Sequence, residues 1–130
     1  MGMDLTSDSG AEFRFTGMGW NFCLRLAEAY GWRGQRTLPP AGVAVEAWSG
    51  TYDSNEGQRV KPEDADSLAT VLKLALVDPH RSRIERQVAD EMSRLLTQHF
   101  GRPVPVEPSM TEAHYQEFVA FCKEGGFRID

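Results

Sequence analysis

The stretch from Trp48 to Leu76, WSGTYDSNEGQRVKPEDADSLATVLKLAL, holds the change of pattern on which the fold turns. Ser54-Asn55-Glu56-Gly57 is a turn signal, since Asn55 and Gly57 tolerate positive φ, and Thr51, Tyr52 and Val60 on its flanks suit strands. The segment therefore predicts a hairpin with a short loop. Pro62 then fits the first turn of a helix, where its missing N–H costs nothing, and Glu63 and Asp64 suit the positive end of the helix dipole. Ala65, Leu68, Ala69, Leu72, Ala75 and Leu76 recur at steps of three and four and so share a face that must bury.

Working toward the N-terminus, Val43 to Trp48 reads as a short strand feeding the hairpin, and Arg33 to Gly42, with Gly34, Pro39 and Pro40, as a loop. Before it, Trp20, Cys23, Leu24, Ala27 and Tyr30 form one helical stripe, widened by Phe22, Leu26 and Ala29, which leaves few sides for water and predicts a central helix. Gly31 suits a left-handed stop, with Trp32 folding back on the last turn. Glu12 to Thr16 alternates as a half-buried strand with Phe13 and Phe15 inside, and residues 1–11 read as a flexible tail.

Toward the C-terminus, Asp78-Pro79 breaks the helix. Ser82-x-x-Glu85 offers a capping box for a third helix, striped by Ile84, Val88, Met92, Leu95, Leu96 and Phe100 and stopped by Gly101 and Pro103. The prolines at 103, 105 and 108 predict an extended segment. Ser109-x-x-Glu112 then repeats the capping pattern for a fourth helix that buries Tyr115, Phe118, Val119 and Cys122. Gly125-Gly126 ends that helix, and Phe127-Arg128-Ile129 alternates as a last strand. The sum is an α+β fold, about four helices packed on a small antiparallel sheet or hairpin, with residues 12–130 forming a single globular domain.

Composition narrows the function classes. A length of 130 residues suits one core, and 41% apolar residues argue against disorder. The net charge of −5 gives no reason to expect nucleic acid or an anionic membrane as partner. Two cysteines, Cys23 and Cys122, in apolar helical patterns read as buried thiols of a reducing compartment, and the lack of a long apolar run or a secretory signal makes a cytoplasmic location the expectation. Met1-Gly2 with Thr6 fits the N-myristoylation pattern, but so short a match is set aside.

Three groups of residues together carry a resemblance. They are W-x-G-x-Y-x-S-N-x-G-Q from Trp48 to Gln58, Asp64-Ala65 with Leu68-Ala69, and the ending Phe121-Cys122-x-x-Gly125-Gly126-Phe127-x-Ile129. With Leu26-Ala27 and Tyr30-Gly31-Trp32, these resemble small bacterial proteins of unassigned function. The resemblance implies no catalytic motif and assigns no residue a role.

Two clusters are candidate sites. Trp48, Tyr52, Asn55 and Gln58, with Asp53, bring ring faces and amides around one loop, a combination able to hold a polar ligand. The same residues also suit a structural role, the rings anchoring the hairpin and the amides satisfying turn backbone, and this reading is preferred. His80, Arg81, Arg83 and Arg86 put four potential cations at a helix start, a candidate anion or partner patch that reads more simply as a solvated face.

For catalysis, His114 and Cys122 are eight residues apart on one helix, about 12 Å along its axis, too far for a dyad. His80, His99 and His114 are not spaced as metal ligands, there is no H-E-x-x-H, C-x-x-C or phosphate-binding glycine loop, and Asp64, Asp66, Asp90 and Glu91 read as solvent-facing. No catalytic residue, metal or cofactor is expected. The function expected is a non-catalytic protein-interaction module, immunity-, antitoxin- or adaptor-like, whose partner is another protein. The alternative is a small-ligand-binding protein or an unrecognised enzyme using the Trp48 to Gln58 loop.

Overall fold

The computed structural model describes residues 2–130; Met1, the first residue of the expected tail and of the lipidation pattern, lies outside them. In chain order the elements are β1 (Gly2–Ser7), β2 (Glu12–Thr16), α1 (Gly17–Ala29), a 3-10 turn (Val45–Ala47), β3 (Gln58–Val60), α2 (Pro62–Val77), α3 (Arg81–Phe100), α4 (Glu112–Cys122) and β4 (Phe127–Ile129). The α+β class follows directly: the described residues form four helices and one four-stranded sheet, antiparallel throughout, in the order β2-β1-β4-β3.

The N-terminus corrects the sequence expectation. Residues 2–7 are not a loose tail but an inner strand, paired on one side with β2 and on the other with β4. Met3 and Leu5 alternate with Asp4 and Thr6, and Leu5 is fully buried between its neighbours. The alternation was present in the sequence, but the small and polar residues around it hid a strand whose partners lie at opposite ends of the chain. Buried strand residues Phe15, Val60, Phe127 and Ile129 join Met3 and Leu5 in one core cluster.

The expected hairpin is also corrected. Val43 to Trp48 forms no strand, and Val45–Ala47 is a 3-10 turn instead. The short strand Gln58–Val60 pairs with β4, and its other edge is closed by a bridge between Leu38 and Arg59, whose amides and carbonyls exchange bonds of 2.8 and 3.1 Å. The expected turn at 54–57 is a run of bends in which Gly57 takes positive φ (89°) and Asn55 does not. The Gly57 N–H donates to Ile129 O at 2.7 Å, so long-range pairing wins over the local partner that its residue types suggested.

Helix α1 is central, with Trp20, Phe22, Cys23, Leu24, Leu26 and Ala27 fully buried. Burying such side chains stabilises by about 2–3 kcal/mol each for the larger ones. Its C-terminus has the expected stop: Gly31 at φ 100°, with the Gly31 N–H donating to Glu28 O and the Trp32 N–H to Ala27 O. Rings from α1 and α4 meet those of the strands, Phe118 lying edge-on to Phe15 at 5.0 Å and Trp20 edge-on to Phe127 at 6.2 Å. Both expected capping boxes are absent. Helix α3 begins after His80, with Asp78 Oδ1 accepting the His80 N–H, and α4 is capped by Thr111, whose hydroxyl oxygen accepts the His114 N–H.

Candidate functional site

The loop from Trp48 to Gln58 is held by bonds to its own chain. Trp48 Nε1 donates to Thr37 Oγ1 at 3.0 Å, and that hydroxyl donates to Thr51 O at 2.7 Å. The Gln58 amide, fully buried, donates to Ser54 O at 2.6 Å while its oxygen accepts the Glu56 N–H at 2.8 Å. Asn55 Nδ2 donates to Gly2 O at 3.3 Å. The Tyr52 hydroxyl donates to Asp64, and the Tyr52 carbonyl accepts Trp20 Nε1 at 2.7 Å. Tyr52 and Asn55 thus point to different neighbours.

Asp64, read from sequence as solvent-facing, is 2% exposed. Besides the phenol it accepts the Gln35 N–H at 3.1 Å, which ties the 33–37 loop to the start of α2. Burial first, and then the hydrogen bond to the Asp64 carboxylate, push the Tyr52 phenol well above its usual range.

The four cations at the start of α3 do not converge. Arg81 turns inward, its guanidinium 5.3 Å from the Tyr115 ring centre and its Nη1 donating to Leu76 O at 3.0 Å. Glu85, the other half of the supposed capping box, is buried and accepts the Tyr115 hydroxyl. Arg86 turns to the 102–111 segment, bonding Val106 O at 2.9 Å and Glu107 at 3.1 Å. His80 and Arg83 are left exposed.

A concavity lies elsewhere, between α1 and α3. It is a groove of about 580 Å³ lined by Arg25, Arg33, Ile84, Met92 and Leu95 among others, adjoining a hollow of about 310 Å³ where Met18, Asn21 and Leu96 join Arg25, Met92 and Leu95. Its cause is a mismatch of faces. The stripe of α3 is long and apolar, whereas α1 offers it Asn21, Arg25 and Ala29, which are polar or small and leave the space unfilled. Leu95 is 50% exposed and Met18 43%, and both line the hollow together with a buried Met92.

Charges frame the groove. Arg25 Nη2 pairs with Asp53 at 3.1 Å, and its Nε lies 2.9 Å from Glu28, out of line for a hydrogen bond. Glu91 accepts hydrogen bonds from the Arg94 guanidinium, which hold its carboxyl below the usual range. Arg33 donates to Trp32 O at 2.7 Å and has no acidic partner among the described residues. None of the groove residues was singled out as a site from sequence, because each reads as ordinary helix stripe or solvated charge until the two helices are set side by side.

Among the described residues no group of three or more His, Cys, Asp and Glu side chains could hold a metal ion, and no helix is long and apolar enough to cross a membrane. Comparison with protein-family models, curated proteins and solved structures finds no match.

Proposed function

We propose that the protein is a non-catalytic interaction module, immunity-, antitoxin- or adaptor-like, that takes an amphipathic helix of a partner protein into the groove between α1 and α3. The observation that carries this reading is the pair of exposed apolar side chains, Met18 and Leu95, lining one hollow with the buried Met92. A helix laid in a groove anchors through side chains at three- and four-residue steps, and flexible methionines adapt to such a guest. Arg33, which lines the groove and has no acidic partner among the described residues, suits an acidic residue on the incoming helix.

The inward bonding of Trp48, Tyr52, Asn55 and Gln58 supports this reading over a ligand site in their loop. In the same reading the helices cover the apolar side of the sheet, and α3, which packs chiefly against α1, holds the groove outward. A reducing, cytoplasmic setting suits the two buried free thiols.

The test is capture from a lysate of the source organism with two baits, the wild-type chain and Leu95→Asp, both checked for native circular dichroism. A protein retained by the wild type and depleted about tenfold or more by Leu95→Asp is the expected result, as for loss of an apolar anchor. Equal retention by both baits, or none by either, overturns the reading.

A further inference from the structure

The sheet has two edges, and they are treated differently. The outer edge of β3 is closed by Leu38. The outer edge of β2 is open. Asp4 exchanges both of its main-chain bonds with Asp130 beside β4, so in an antiparallel ladder Met3 and Leu5 turn theirs to Phe15 and Phe13. The N–H and C=O groups of Glu12 and Arg14 therefore point away from the sheet, where they have no main-chain partner among the described residues. Thr16 is different, since as the N-cap of α1 its carbonyl already serves the helix.

We propose that a second copy of the chain closes this edge, β2 pairing antiparallel with its counterpart about a two-fold axis centred on Phe13. That register sets Glu12 of each copy opposite Arg14 of the other, so the four free N–H and C=O groups of each strand are the ones used. Two opposite-charge cross-strand pairs form on the outer face, and the half-buried Phe13 side chains meet on the inner face. The register centred on Arg14 is worse in two ways. It opposes Arg14 to Arg14, and it requires the Thr16 carbonyl. The existing ion pair of Arg14 with Asp4, at 3.1 Å, is exposed on both sides and leaves the guanidinium able to bridge to Glu12 of the second copy. This self-association uses a different surface from the α1–α3 groove and stands or falls independently of it.

The experiment is sedimentation equilibrium at low salt and high protein concentration on the wild type, Glu12→Arg, Arg14→Glu and an equimolar mixture of the two variants. Both positions are exposed, and retention of fold is checked by circular dichroism. The wild type should dimerise, and each variant alone, facing like with like charge, should associate about tenfold more weakly. The mixture should recover dimerisation, because one variant then presents arginine at both facing positions of the strand and the other presents glutamate at both. A monomeric wild type, variants that dimerise like the wild type, or a mixture that recovers nothing would each overturn the proposal.

Discussion

The phenols of Tyr30, Tyr52 and Tyr115, all three tyrosines of the chain, each donate to a carboxylate, of Asp78, Asp64 and Glu85 respectively. Burial and these bonds raise all three above the usual range. An unfolded tyrosine ionises near pH 10, so above that pH the unfolded chain holds fewer protons than the folded one. Their contribution to stability is therefore fully present below about pH 10 and is lost as pH rises beyond it. Urea midpoints taken on both sides of that pH check the sign; a flat profile contradicts it. Tyr52→Phe leaves buried Asp64 with one donor fewer and should cost about 1–3 kcal/mol in the same assay. Gly126→Ala should be worse tolerated than a surface change, since a Cβ there would lie 2.6 Å from Val60 O, and overpacking against backbone costs about 1–3 kcal/mol. Sequence pattern marked Tyr115 as buried and Asp64 as exposed. The first follows from a helical stripe, whereas the second depends on Tyr52 and Gln35 arriving from another loop, which no periodicity encodes.

Elements were legible wherever local chemistry decides them. Helices α1 and α2 follow from their apolar stripes, the α1 stop from Gly31, and β4 from Phe127 and Ile129. Capping was less so, because Ser-x-x-Glu is common and only one of several nearby hydroxyls finds the helix start. Thr111→Ala should cost about 1 kcal/mol in chemical unfolding while Ser109→Ala changes little, the reverse of what the capping-box pattern alone implies. The hairpin failed for a different reason. Gln58–Val60 has strand-forming residues, but its partner is β4, at the far end of the chain, and the side chains of Trp48 and Gln58 lock the intervening loop so that no local strand forms.

At the scale of the whole molecule, the sheet draws β1 from the first residues and β4 from the last, with all four helices running between them in the chain. Burial follows from that closure. Cys23 and Cys122 are both free and enclosed, and burial raises both thiols. They should be inert to a thiol reagent in the native state and react as two equivalents once the chain is unfolded; rapid native reaction would mean that the core opens. The groove was not legible because it belongs to neither helix alone: Met18 and Leu95 are separated by most of the chain and meet only through packing. The measurement that tests the groove most directly is backbone amide exchange of the protein with and without its captured partner. Slowed exchange confined to α1 around Met18–Arg25 and to α3 around Val88–Leu96 is the predicted footprint, and a footprint on the Trp48–Gln58 loop or elsewhere, with that groove unchanged, would contradict it.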